Sequence, residues 1–415
     1  MDLPLKFDLP TTIDRARAAS LVLAQASSQA RNHALKLVVA KLREYHNALL
    51  EANTLDLEMS RELAVPDIVL NWLKLTPERL NNVAVLLEQL ANLSDPLISR
   101  RSSASSVTAQ SYAQSVPLGL IGCIYEALPE LALILAGMSL KTGNCLLVQG
   151  GREASHSNQV IAELLLASLA KSELPEACVQ ALPSDRVLSQ SLITQESGLD
   201  LIIPYGRPPL VQQVVREASM SVLRSALGNC YLYWSETGSS DLARTMILES
   251  HQGAPDAVNA IEKVLVSPNI NASRLTLLWN KLREQGFELK GDAELVAEFP
   301  DLALATKQEW DQPYLQKTVA FKPVEQLSEA IAWINAHSSG HADCLVTDSY
   351  QESQLFVRSV NSAALYINAS PRFSRQCSGP GGTAALGMGG RGGFKPGVIS
   401  LDTFITSKQI VQGEG

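Results

Sequence analysis

Over the first hundred residues, apolar positions recur at helical spacing. Ala-, Leu- and Lys/Arg-rich runs extend to about Leu50 from a capping start at Thr11-Thr12-Ile13-Asp14. Leu80, Val83, Leu86, Leu87 and Leu90 mark one face of a helix over 77–93. Residues 101–115 break this pattern: they are rich in Ser, Thr, Ala and Gln and alternate weakly. That predicts an exposed strand or hairpin able to pair with another chain. From Val116 the period is regular. Apolar strand-like runs (118–125, 145–148, 178–182, 199–204, 229–234) alternate with helical ones (130–140, 153–171, 188–194, 210–218, 241–250). A second alternation places strands at 260–266, 344–347 and 364–368 and helices at 272–285, 324–337 and 351–360. Strands and helices alternating at this spacing predict an α/β protein with parallel sheets covered by helices on both faces. The stretch 252–266 reads as a loop, a helix and then a strand. Gly379–Gly393 holds eight glycines in fifteen positions and reads as a mobile loop.

A length of 415 residues exceeds one compact core and implies two or three domains. The polar break near Trp234–Ser240 sets the division. Residues 1–100 with 116–236 form one domain and 237–370 a second. Residues 101–115 stand apart from both, and 371–394 form a Gly-rich loop. The net charge of −8 argues against a nucleic-acid or acidic-membrane partner, which needs a basic face. The most apolar stretch, Leu118 to Met138, is interrupted by Glu126, Pro129 and Glu130, which argues against a membrane span. The start, Met1 to Asp8, has no apolar signal core, so a cytoplasmic location is expected. Six cysteines, at 123, 145, 178, 230, 344 and 377, form no Cys-x-x-Cys pair and read as buried reduced thiols. His337 and His341, four apart at a helix end, read as a polar cap, and no metal site is expected.

Three segments carry a resemblance: Val116 to Ala127 (VPLGLIGCIYEA), Leu140-Lys-Thr-Gly-Asn144 and Gly150-Gly-Arg-Glu153. Leu75-Thr-Pro-Glu-Arg-Leu80, Tyr366-Ile-Asn-Ala-Ser370 and the tail Leu401-Asp-Thr-Phe-Ile-Thr406 extend it, in order, over nearly the whole chain. The sequence resembles the gamma-glutamyl phosphate reductases, also called glutamate-5-semialdehyde dehydrogenases, of the aldehyde dehydrogenase superfamily. The resemblance implies an aldehyde-dehydrogenase-like fold: a Rossmann-like cofactor domain, an α/β catalytic domain and an oligomerisation hairpin in which residues 101–115 pair with 395–415. It also implies NADPH-dependent reduction of L-glutamate 5-phosphate to the semialdehyde, in proline biosynthesis, through a cysteine thioester. A thiolate suits that step because it is strongly nucleophilic near neutral pH.

The departures cluster where that chemistry would lie. The family reads approximately Gln-Arg-Pro-Ser-x-Cys-Asn-x-x-Glu. This chain reads Gly253 to Glu262 as GAPDAVNAIE, with Pro255, Asn259 and Glu262 fixing the register. Val258 falls on the nucleophile, Ala254 on the arginine and Asp256 on a serine, with Asn259 and Glu262 retained. Leu128 and Glu130 replace a cation and an amide. Arg207 replaces the second glycine of a turn implied to lie near the nicotinamide. Ala385 replaces a carboxylate. The pattern predicts a catalytically degenerate member acting as a binding, regulatory or scaffold paralogue. The alternative is an active reductase. For NADPH the candidate residues are Lys141, implied by the resemblance to hold phosphate or ribose, and Gly150, Gly151 and Arg152, where N–H groups at a strand-to-helix turn favour phosphate. A structural reading competes, in which Lys141 caps a helix. Expected partners are a second copy of the chain, an active paralogue engaged through the hairpin, or glutamate 5-kinase.

Overall fold

The computed structural model describes residues 7–98, 100–106, 109–194, 198–252, 255–376 and 384–413. Two compact units emerge. Unit 1 comprises Met1–Leu223, Arg375–Leu386 and Ile399–Gly415, and unit 2 comprises Arg224–Ser374 and Gly387–Val398.

Unit 1 begins with five helices: α1 (Leu9–Gln25), α2 (Ser28–Glu44), α3 (His46–Glu62), α4 (Asp67–Leu73) and α5 (Pro77–Asn92). The first is capped by Asp8, whose side chain accepts the Thr11 N–H, and so starts ahead of the capping segment expected at Thr11 to Asp14. β1 (Arg100–Ser106) and β2 (Ala109–Pro117) form an antiparallel hairpin, and the C-terminal strand Ile405–Gly413 pairs with β2 from Ile405↔Pro117 to Gly413↔Ala109. The hairpin expected at 101–115 is thus joined to the tail of its own chain. Next come β3 (Leu120–Tyr125), α6 (Glu130–Thr142), β4 (Cys145–Gly150), α7 (Ser155–Leu169), β5 (Val179–Ala181), α8 (Arg186–Thr194), β6 (Leu201–Tyr205) and α9 (Pro208–Glu217). The four strands form a parallel sheet of order β5-β4-β3-β6. Every residue of α6 is buried, which explains why it is apolar nearly all round. It ends at Gly143, left-handed at φ 76°, a conformation that glycine adopts without a Cβ penalty.

Unit 2 holds β7 (Ser225–Ala226), β8 (Cys230–Trp234), α10 (Ser240–Ser250), β9 (Ile261–Val266), α11 (Ala272–Glu284), β10 (Glu288–Gly291), α12 (Ala293–Glu298), β11 (Ala303–Leu304), β12 (Thr318–Pro323), α13 (Leu327–His337), β13 (Ala342–Val346), α14 (Tyr350–Ser359), β14 (Ala364–Ile367) and, from Gly387 on, β15 (Ala385–Gly389). Seven strands make a parallel sheet of order β11-β10-β12-β9-β8-β13-β14. Alternate residues of β8 enter different cores. Leu232 and Trp234 pack with Met246, Leu275 and Leu278, while Tyr231 and Tyr233 pack with Ile331, Ile334 and Phe356. Helices therefore cover both faces, and the strands read as continuous apolar runs.

Three expectations need correction. The units divide at 223/224, not 236/237, because Cys230–Trp234 lies between β9 and β13 in the second sheet. The stretch before β9 forms no helix: Ala257 takes φ 35° and its carbonyl accepts the Ala260 N–H at 2.9 Å, closing a turn. Part of the Gly-rich loop is strand, since Ala385–Gly389 is buried and Met388 and Gly389 pair with Ala226 and Ser225. Ala254, Cys377 and residues 379–383 lie outside the described residues. No helix among the described residues is long and apolar enough to cross a membrane.

Candidate functional site

The parallel register of unit 1 brings Tyr125, Gly150 and Tyr205 to one sheet edge. The chain winds outward from β3 to β5 and then returns to β6 on the other side, so the crevice of this sheet opens at its carboxyl edge. A cavity of about 420 Å³ lies there, lined by residues that include Glu126, Gly150, Gly151, Asp185 and Leu210. Gly150, Gly151 and Arg152 all border it. Lys141 does not. It sits in the last turn of α6, before β4 begins, and hence beyond the amino end of a strand that runs roughly 16 Å to Gly150. Its Nζ donates to Asn32 Oδ1 (2.9 Å) and the Leu93 carbonyl (2.6 Å), and burial lowers its pKa. The cofactor role expected of Lys141 is therefore corrected: the lysine ties α6 to α2 and to the end of α5.

The hydrogen bonds around the cavity engage the backbone at the starts of α7 and α9. A dinucleotide holds its phosphates on N–H groups at a helix N-terminus. At α7, Ser155 N–H donates to the Arg152 carbonyl, His156 N–H to Asp56 Oδ1 (2.9 Å) and Ser157 N–H to Asp56 Oδ2 (2.8 Å). Asp56 itself is buried on α3. At α9 the first two residues are Pro208 and Pro209, which have no N–H. Leu210 and Val211 N–H groups return to the Arg207 carbonyl at 3.1 and 3.3 Å. Arg207 N–H donates to Glu126 Oε2 (2.9 Å), and its guanidinium donates to Glu126 Oε1 through Nε (3.0 Å) and Nη2 (2.5 Å). This bonding to Glu126 raises the Arg207 pKa.

The two glycines do not leave a cradle. A Cβ at Gly151 would collide with the Glu153 carboxylate, and one at Gly150 with Asn158 and the Tyr125 hydroxyl. Glu153 Oε1 accepts the Ala127 N–H at 2.7 Å, holding that residue at φ 52°. Burial foremost, with Glu126 adding repulsion, raises the Glu153 pKa. Arg152 donates to the Ser184 carbonyl and lies 3.6 Å from Asp185. As they stand, the residues at this edge do not fit the phosphates of NADPH: Gly150, Gly151 and Arg152, expected to hold them, border the cavity but face Asn158, Glu153 and the Ser184 carbonyl.

In unit 2, Val258 is 1 % exposed. Its carbonyl accepts from Gly228 N–H (2.9 Å) and lies 2.9 Å from His341 Nε2. Nε2 must then carry the proton, which leaves Nδ1 to accept from Ser339 Oγ at 2.8 Å. Burial lowers the His341 pKa to about 4, so the ring is neutral at pH 7. Cys230 Sγ lies 3.3 Å from the same Nε2, but the thiol is fully buried and its pKa is raised well above normal, chiefly by burial. A neutral ring already donating from that nitrogen cannot take the thiol proton. The pair is structural.

Asn259 and Glu262 are also framework groups. Asn259 Nδ2 donates to the Pro371 carbonyl at 2.9 Å. Glu262, fully buried, accepts N–H groups from Asn229 (2.7 Å), Tyr314 (2.9 Å) and Leu315 (2.7 Å). Asn229 and Leu315 hold positive φ values of 54° and 56°, so one carboxylate anchors two strained turns. The five described cysteines are all free and buried. His337 pairs with Asp311 (2.7 Å) at the end of α13, as a helix-end polar group would, whereas His341 is a buried tether. No cluster of potential metal ligands occurs among the described residues. Glu130, one of the departures, forms an ion pair with Arg79, and Leu128 is fully buried.

Sequence reading missed Asp56, Glu126 and the Pro208-Pro209 pair. The prolines, which follow a strand and the Gly206-Arg207 turn, were the available signal. Asp56 lies 100 residues from the backbone it caps and gave none.

No protein-family model matches the chain. It is 47% identical over 413 residues to gamma-glutamyl phosphate reductase 2 of Synechocystis sp., covering 98% of this chain and 97% of that protein. It is 36% identical to the gamma-glutamyl phosphate reductase of Gloeobacter violaceus, covering 100% and 99%. The crystal structure of gamma-glutamyl phosphate reductase from Thermotoga maritima matches with a TM-score of 0.89 at 31% identity, over 98% of this chain and 99% of that one. A propionaldehyde dehydrogenase from Clostridium phytofermentans shares the fold, at TM-score 0.71 and 14% identity.

Proposed function

The chain belongs to the gamma-glutamyl phosphate reductase family, and from that premise we propose that it is a non-reducing member, retained for binding within proline biosynthesis rather than for thioester chemistry. The observation that carries this reading is the state of the thiols. The resemblance puts the family's nucleophile at Val258, a buried hydrocarbon, and the nearby Cys230 is sealed in the core beside a neutral histidine. A covalent nucleophile contributes several powers of ten in rate, on the order of 4–8 kcal/mol of barrier. No neighbouring group replaces it among the described residues.

The binding role would run through the three-stranded sheet. In the order β1, β2 and C-terminal strand, both outer strands are edges, and an edge strand presents unpaired backbone groups to a partner. A second copy, an active paralogue or glutamate 5-kinase is the partner in this reading.

The other reading is an active NADPH-dependent reductase of L-glutamate 5-phosphate, yielding L-glutamate 5-semialdehyde and phosphate. The names of its relatives at 47% and 36% identity favour it. It requires a thiol other than the five buried ones, which leaves Cys377. Expression in a proline-requiring bacterium that lacks its own reductase separates the two. Soluble protein without growth supports the non-reducing reading. Growth that is lost on Cys377→Ser establishes the active one.

A further inference from the structure

Unit 1 has the sheet order and the crevice of a nucleotide-binding domain, yet the N–H groups at the starts of α7 and α9 are absent or engaged. We propose that this edge is self-occupied: Asp56, Glu126 and the Pro208-Pro209 pair remove the donors that dinucleotide phosphates need, so the domain does not bind NADP(H).

Independent features of the two helix starts carry the inference. At α7 the Asp56 carboxylate takes two successive N–H groups from a buried position, so a phosphate would have to displace an anion already held by the fold. At α9 the donors are missing covalently at Pro208 and Pro209, and no rearrangement of side chains restores them. The positive group beside α9 is engaged as well. The Arg207 guanidinium binds the same Glu126 carboxylate that accepts its backbone N–H.

The electrostatics point the same way. Glu126, Glu153 and Asp185 line the cavity against Arg152 and Arg186, three carboxylates to two cations, and Arg152 already faces Asp185. A ligand carrying several negative charges meets carboxylates there, and the cations beside them, Arg152 and Arg207, are already paired with Asp185 and Glu126. The close backbone approach that Gly150 and Gly151 would permit is filled by Asn158 and Glu153.

This inference goes beyond the loss of the thiol, because a chain could lose either the nucleophile or the cofactor and keep the other. Its test reads binding instead of turnover, so the two fail separately. Titration of the full-length protein with NADPH, followed by nicotinamide fluorescence and calorimetry, is expected to show no saturable binding below about 1 mM. A triple variant, Glu126→Gln with Pro208→Ala and Pro209→Ala, removes one charge and returns two donors. It is expected to bind NADPH with a Kd below about 100 μM, at least tenfold tighter than the parent. Glu126→Gln alone keeps the shape and the backbone, and is expected to bind several-fold tighter even if the triple variant does not fold. Saturable binding by the parent below about 100 μM overturns the proposal. So does the absence of any gain in folded Glu126→Gln protein.

Discussion

At the carboxyl edge of the unit 1 sheet a cavity of about 420 Å³ survives, and its polar backbone is engaged by carboxylates from its own surroundings. The turn before β9 in unit 2 is packed: Val258 is 1 % exposed, its carbonyl is held by Gly228 and His341, and Glu262 holds the backbone of Asn229, Tyr314 and Leu315. The first region is occupied and the second is packed. An occupied site can be reopened by removing a charge, because the volume is still present. A packed site cannot be restored by one substitution, because its residues have become part of the core on which the unit's stability depends.

The comparison predicts that substitutions cost far more stability in unit 2. The largest effect is expected for Glu262→Ala, which strands one buried N–H group, at Asn229, and two partly buried ones, at Tyr314 and Leu315, and releases two turns at positive φ. A loss of about 4 kcal/mol or more is expected in urea unfolding. A loss under about 1 kcal/mol would break the claim that this carboxylate is framework.

His341→Gln sharpens the same point through pH. The His341 pKa is lowered from 6.5 to about 4, so its contribution is present above pH 6.5 and is lost as pH falls toward 4. Asp343, raised to about 6 by burial, works in the opposite direction but is common to both proteins. The stability gap between parent and His341→Gln should therefore shrink by about 2–3 kcal/mol between pH 7 and pH 4.5. A gap that stays constant would show that the ring is protonated in the fold or is not buried.

The smallest effect belongs to unit 1. Glu126 and Arg207 are both partly exposed, at 18% and 36% of their side chains, and water screens such a pair. Glu126→Gln should cost about 1 kcal/mol or less in stability, while changing the affinity for NADPH. A large stability loss would mean that the carboxylate is core structure, erasing the contrast with Glu262.

The alternation of strands and helices was legible because strands buried on both faces must be apolar throughout, as Leu120–Tyr125 and Ile261–Val266 are. Sheet membership was not. Cys230–Trp234 looks like any strand of unit 1, and only pairing with β9 and β13 assigns it to unit 2. Lys141 was misplaced for a reason available in the sequence: a residue that precedes a strand stands at its amino end, away from the crevice. The retained Asn259 and Glu262 were visible as matches, but their roles depend on Pro371, Tyr314 and Leu315, which no local pattern links to them. Burial of five thiols followed from their apolar surroundings.

The most direct measurement is the reverse reaction on purified protein, with L-glutamate 5-semialdehyde, phosphate and NADP, following NADPH absorbance beside an active family member. The account predicts no rate above buffer. A rate within a hundredfold of that control would contradict it and require a nucleophile and a cofactor site that Val258 and the Glu126–Arg207 pair do not provide.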